Sequence, residues 1–218
     1  MSKKNLTYID FHTHRLAKEP GVEGIFNQII GKESKGGFLH SAGIHPWYVT
    51  EDNLQLLKLL LTDHISQHDA LAIGECGLDK ICPTPMEVQK EAFLFQIDLA
   101  KQIRKPLIIH CVRAYQEVMH LLESQENQVP VVFHGFNKHR QLAHDLLNAG
   151  YYLSFGKSLF QERIQQVLAS CPIDKIFLET DGEPFSVKEL YHISAETLGI
   201  PVETLQRQII QNYHAIIT

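Results

Sequence analysis

At 218 residues, 44% hydrophobic and 21% charged, the chain has the composition of an ordinary soluble globular protein with room for one large core. Its apolar segments are short and broken by charge, which argues against a transmembrane helix. A net charge of −5 argues against a broad electrostatic clamp on nucleic acid, but leaves room for a small nucleic-acid substrate held by local cations and metal.

The first predicted strand is Tyr8–Phe11, and it leads into His12-Thr13-His14. Side chains two apart on an extended strand point to one side, so His12 and His14 project together, as a metal site requires. Two surface histidines at a strand end would give the same local pattern. Strands are next predicted at Val22–Ile30 and Phe38–Gly43, separated by the loop Gly31–Gly37. Then come a helix over Glu51–Gln67, a strand at Leu71–Gly74 and a helix over Met86–Ile103. In that helix Phe93, Ile97, Ala100 and Ile103 recur at steps of three and four. The alternation continues with strand Pro106–His110, helix Ala114–Ser124, strand Val131–His134 and helix Lys138–Asn148. It closes with strand Tyr151–Phe155, helix Leu159–Ala169, strand Lys175–Glu179, and helices Val187–Thr197 and Val202–Tyr213. Pro106, Pro130 and Pro172 each stand where a helix ends and a strand begins. No linker or repeat divides the chain, so residues 1–218 read as a single domain.

Strands alternating with amphipathic helices predict a parallel sheet covered by helices. Eight strands predict an α/β fold of the (β/α)8 TIM-barrel type, whose usual size is about 250 residues and lower limit about 200. Neither the gap before the second strand nor the Gly31–Gly37 loop can hold a crossover helix. The expectation is therefore a shortened barrel with helices missing around the first strands and a less regular second strand. An open doubly wound sheet is the alternative.

Potential metal ligands recur at the carboxyl ends of these strands: His12, His14, Glu75, His110, His134 and Asp181. In a parallel barrel those ends share one face, where the active site is built. Four imidazoles and two carboxylates suit two divalent metal ions, Zn, Mn or Mg, and a carboxylate such as Glu75 can bridge two ions. Taken singly, His110 and His134 could equally be core-edge histidines bonded to backbone. The four cysteines, Cys76, Cys82, Cys111 and Cys171, contain no C-x-x-C pair, which excludes a zinc ribbon. With no secretory h-region in the sequence, they read as reduced thiols of a cytoplasmic protein.

The ordered motifs resemble the TatD-type metal-dependent hydrolases of the amidohydrolase-like barrel group. Asp10-Phe11-His12-Thr13-His14 is similar to that family's D-x-H-x-H, and Gly43-Ile44-His45-Pro46 to its G-[IL]-H-P. Gly74-Glu75-Cys76-Gly77-Leu78-Asp79 resembles G-E-x-G-L-D. The helix with Gln89, Phe93, Gln96 and Leu99-Ala100, the stretch His134-Gly135-Phe136, and Glu179-Thr180-Asp181 complete the match. The resemblance implies that His12, His14, Glu75, His110, His134 and Asp181 are the metal ligands, with Glu75 bridging. It implies Asp181 as general base in a metal-dependent, deoxyribonuclease-like hydrolysis of phosphodiesters, with DNA as substrate. His45 is expected at the mouth of the site, touching substrate or serving only a structural turn. Arg113 and Lys157 are candidate phosphate contacts on loops, although either could be a solvated charge. Asp79 suits a ligand-bonding or a turn role, and Trp47 and Tyr48 could stack on a base or pack locally. The remaining helical histidines, His64 and His68 among them, read as surface or packing residues.

Three departures bear on substrate. Where the family shows H-x-R, this chain has His110-Cys111-Val112-Arg113, and where it shows H-C-F-S-G it has His134-Gly135-Phe136-Asn137-Lys138. The long segment after E-T-D with R-x-x-N-x-P is replaced by Gly182-Glu183-Pro184-Phe185, which runs almost directly into a helix. All six expected ligands remain, but substrate choice is reopened. A hydrolase of small amide, ester or phosphate compounds is the alternative, and a metal- or partner-binding protein with weak catalysis is a third reading.

Overall fold

A computed structural model describes residues 7–15, 19–32 and 38–217. Its strands are β1 (Tyr8–Thr13), β2 (Val22–Ile29), β3 (His40–Gly43), β4 (Ala72–Asp79), β5 (Leu107–Val112), β6 (Val131–Phe133), β7 (Tyr152–Phe155) and β8 (Ile176–Leu178). The helices are α1 (Leu54–Gln67), α2 (Met86–Ile103), α3 (Tyr115–Ser124), α4 (Arg140–Asn148), α5 (Glu162–Leu168), α6 (Val187–Leu198) and α7 (Val202–Ile216). Among the described residues no helix falls between β1 and β2 or between β2 and β3, as the short gaps predict. Of the predicted loop Gly31–Gly37, residues 33–37 lie outside the described residues. The strands follow one another in one sheet in chain order, β1 to β8. A doubly wound sheet would reverse direction at a switch point, so the sequential order excludes that alternative.

The chain divides into two compact units. One comprises residues 1–26 with 133–216, and the other 27–132 with the last two residues. In the first, Phe11 of β1 stacks on Phe177 of β8 with ring centroids 4.0 Å apart. Tyr191 of α6 is fully buried beneath β1, and its hydroxyl donates to the Ile9 carbonyl and accepts from the Ile9 N–H, both at 3.1 Å. The start of α6 is fixed by a capping box in which the Ser186 side chain and Glu189 satisfy backbone N–H groups reciprocally.

In the second unit α2 buries the predicted stripe Phe93, Ile97 and Ala100. It also buries Gln89 and Gln96, two turns apart on the same face. Gln96 Oε1 accepts from the Ile44 N–H at 2.7 Å and its amide donates to the Ile44 carbonyl at 3.1 Å, closing both backbone groups just before His45. Gln89 treats Asp79 likewise, accepting from its N–H at 2.8 Å and donating to its carbonyl at 3.0 Å. One helix thereby fixes the outgoing ends of β3 and β4.

Several boundaries differ from the sequence expectation. β4 runs five residues beyond the predicted Gly74 with an extra residue in it, since Gly74 faces Ile108 and Cys76 faces Ile109. Glu75 is that extra residue, and β4 and β5 pass very close around it. A β-carbon on Gly74 would lie 2.5 Å from the Ile108 carbonyl oxygen, and one on Gly77 2.2 Å from that of His110. Both glycines also have positive φ, +150° and +135°. The pairing of β1 with β2 is irregular, because the two residues between Asp10 and Thr13 oppose the single Ile25 between Gly24 and Phe26. The predicted helix Leu159–Ala169 resolves into a 3-10 turn, Lys157–Phe160, followed by α5. Replacing Gln96 by Leu should strand the buried N–H and C=O of Ile44 and cost about 2 to 4 kcal/mol, measured as a lowered urea midpoint at unchanged slope.

Candidate metal centre

In the first unit, β1 and the segment after β8 are sewn together by buried polar contacts. Asp10 accepts from the Thr180 N–H at 2.8 Å and from its hydroxyl at 2.6 Å, while the Asp181 N–H donates to the His12 carbonyl at 3.0 Å. Burial pushes the Asp10 carboxyl up to about 7, against the Thr180 hydrogen bonds and with help from the nearby charges of Glu179 and Asp181. This lacing brings His12 Nε2 to 3.7 Å and His14 Nε2 to 3.3 Å from Asp181 Oδ1. Ligand atoms of His12, His14 and Asp181 all lie within 4.8 Å of one another, a spacing one metal ion can span. His12 is fully buried, whereas His14 and Asp181 are exposed. The His134 ring stands 4.4 Å from that of His12, and its Nδ1 lies 3.3 Å from Glu179 Oε1, which also takes the Gly135 N–H at 2.6 Å. A buried carboxylate on Nδ1 fixes the tautomer with its lone pair on Nε2, the usual support of a metal-binding histidine.

The second unit assembles Glu75, His45, His110 and Asp79. Glu75 Oε1 lies 2.8 Å from His110 Nδ1 and 3.2 Å from His45 Nε2, and the ligand atoms of this trio also fall within 4.8 Å of one another. His110 Nε2 meets Asp79 Oδ2 at 2.8 Å, so both ring nitrogens face carboxylates. When one nitrogen coordinates an ion, the other donates to a carboxylate. His45 Nδ1 accepts from the Trp47 N–H at 3.1 Å, which puts its proton on Nε2 and makes it a donor to Glu75. Asp79 also accepts from the Trp47 indole at 2.7 Å and from the Ile81 N–H at 2.8 Å. Burial pushes the Asp79 carboxyl up, but hydrogen bonds from His110, Ile81 and Trp47 outweigh it and hold the group below the usual carboxylate range.

Of the predicted residues, His12, His14, His134 and Asp181 belong to the first unit, and Glu75, His45 and His110 to the second. His45 is buried against Glu75. Arg113 is exposed directly after β5, and Lys157 is ion-paired with Glu183 in the short segment after Asp181. Two supporting residues escaped sequence reasoning. Asn27 clasps Glu75 by donating to Oε2 at 2.9 Å and accepting from the Glu75 N–H at 3.0 Å. Glu179 anchors the His134 loop. The signal for Asn27 was a polar pair, Asn27-Gln28, within an otherwise strand-like run.

Sequential parallel strands carrying histidine and carboxylate donors near their carboxyl ends define the class, a (β/α)8 barrel of the metal-site type. The sequence profile of the TatD related DNase family matches residues 25–218. The chain belongs to that family. It is 32% identical over 154 residues to the "uncharacterized metal-dependent hydrolase YabD" of Bacillus subtilis, covering 66% of this chain and 58% of that protein. It is 32% identical over 155 residues to the "3'-5' ssDNA/RNA exonuclease TatD" of Citrobacter koseri, covering 65% and 56%. The match therefore spans little more than half the length of these relatives. The fold matches YjjV, a TatD homologue of Escherichia coli K12, with a TM-score of 0.81 at 21% identity over 98% of both chains.

Exchange of Asn27 for Ala should release the Glu75 carboxylate and its backbone N–H together. Its expected cost is about 2 to 4 kcal/mol of folding free energy, read by chemical denaturation.

Proposed function

We propose that the protein is a divalent-metal-dependent phosphodiesterase acting on DNA, with a metal-activated water and Asp181 as general base. The observation that carries this reading is the convergence of His12, His14 and Asp181 on a common point, with Asp181 on the solvent side. The donor sets fit borderline or hard divalent ions, Zn, Mn or Mg, and we assign two of them. His12, His14, His134 and Asp181 serve in one unit, and Glu75 and His110 in the other. Bound ions would lower the pKa of water and neutralise charge developing on a phosphoryl oxygen.

The chain's own residues do the rest. Asp181 offers a carboxylate oxygen to accept the proton of the attacking water. His45 and Asn27 hold the two oxygens of Glu75 in fixed directions, and Asp79 orients His110. Exposed Arg113 is a phosphate contact in this reading, as is Lys157 when a phosphate displaces Glu183 from it. Relatives named as ssDNA/RNA exonucleases support a single-stranded substrate. No helix among the described residues is long and apolar enough to cross a membrane, and a cytoplasmic setting belongs to the same proposal.

The short segment after Asp181 favours a second reading, in which the same centre hydrolyses small amide, ester or phosphate compounds. End-labelled single-stranded DNA separates the two. Cleavage should require added divalent metal, stop on chelation, and fall about 10²- to 10⁴-fold in Asp181→Ala. Stoichiometric metal without cleavage of any oligonucleotide would sink the nuclease reading and leave the second.

A further inference from the structure

Away from the Glu75 group, three other histidines cluster in the second unit. His40 opens β3, His64 lies in the last turn of α1, and His68 caps that helix with extended backbone. His40 Nε2 and His64 Nε2 are 3.0 Å apart. The His68 ring stacks on that of His64 at 4.4 Å and lies 6.4 Å from that of His40. His40 Nδ1 is 3.0 Å from the Phe38 carbonyl, and His68 Nδ1 is 3.1 Å from that of His64. A carbonyl can only accept, so both rings carry their proton on Nδ1 and their lone pair on Nε2. An Nδ1–H held by a backbone carbonyl is the support that metal-coordinating imidazoles use.

We propose that His40, His64 and His68 form a second, peripheral site for a borderline transition-metal ion of the Zn(II), Ni(II) or Cu(II) type, bound through their Nε2 atoms. Two nitrogens on one tetrahedral ion at about 2.0–2.1 Å stand roughly 3.3 Å apart, close to the His40–His64 separation. On binding, the His64 proton moves from Nε2 to Nδ1, and no net proton is released. The third ligand is completed by movement of the exposed His68 ring, which also leaves the ion a path in from solvent. Burial, with the charges of His40 and His68, holds the His64 ring down at about 4 against the pull of Asp63, so protons do not compete for it at neutral pH. His40 and His45 flank opposite ends of β3, roughly 16 Å apart along an extended strand. The site is thus separate from the Glu75 group. An ion there would staple the end of α1 to the start of β3.

The test counts zinc by elemental analysis in the full chain after loading and gel filtration. His64→Gln and His68→Gln should each hold one ion fewer than the parent, and Asp181→Ala should keep that ion. A count unchanged in both histidine variants overturns the proposal, whatever Asp181→Ala does to catalysis. As His64 is half-buried, a check on the unaltered chain stands beside it. Zinc must shift the NMR signals of the His40, His64 and His68 ring nitrogens, and signals that stay in place reject the site.

Discussion

The close passage of β4 against β5 around Glu75 is the constraint on which the second donor group rests. The extra residue in β4 interrupts the regular alternation at Glu75. It is accommodated because Gly74 and Gly77 let the neighbouring backbone approach to distances no β-carbon would tolerate. His110 belongs to the same stretch of β5, so this approach also sets the 2.8 Å contact between Glu75 and His110. A side chain at either glycine would push the strands apart and carry Glu75 away from His110. The motif Gly-Glu-Cys-Gly-Leu-Asp is therefore a backbone device as much as a list of donors: its glycines set a distance that its carboxylate uses.

Around this constraint the structure spends buried polar groups freely. Strands covered on both faces offer no water, so each polar group there must find a protein partner. Asp10 finds Thr180, Asn27 finds Glu75, Gln89 finds Asp79 and Gln96 finds Ile44. Removing one partner is costly because it strands the other, whereas two side chains replaced together by well-packed apolar groups lose little, since such a pair gains little net free energy. What apolar residues could not do is aim a carboxylate. Each pair immobilises a residue that is a donor or adjoins one. The upward push on the Asp10 carboxyl shows that burial opposes its charged form.

The sequence discloses these functions unevenly, for physical reasons. Ligand types near strand ends are visible because strand periodicity and residue chemistry are both local. Phe93, Ile97 and Ala100 announce the buried face of α2 by the same local logic. The length of β4 is hidden, because Gly74 and Gly77 look like turn signals until the neighbouring strand explains them. Asn27 is hidden because its partner is 48 residues away. The sequence leaves His45 open between a place at the mouth and a structural turn, because the inward turn of its ring to Glu75 is set by the Trp47 N–H behind it. Only the 3-10 turn before α5 reflects a local boundary that helical periodicity blurs.

The short segment after Asp181 is well anchored. Glu183 pairs with Lys157 and its carbonyl accepts from Arg15, while Phe185 meets Phe160 edge to face with centroids 5.2 Å apart. These contacts tie it to the 3-10 turn after β7 without covering Asp181 or His14, both of which stay exposed. The donor group of this unit is consequently graded, with His12 sealed in the core and the other two side chains turned to solvent. In the proposed reaction a substrate would reach it from the Asp181 side, where the water to be deprotonated would also be supplied. On that reading access and proton removal share one edge, and the side chains bordering that edge would govern which substrate is admitted, whereas the buried donors would govern only what chemistry it meets.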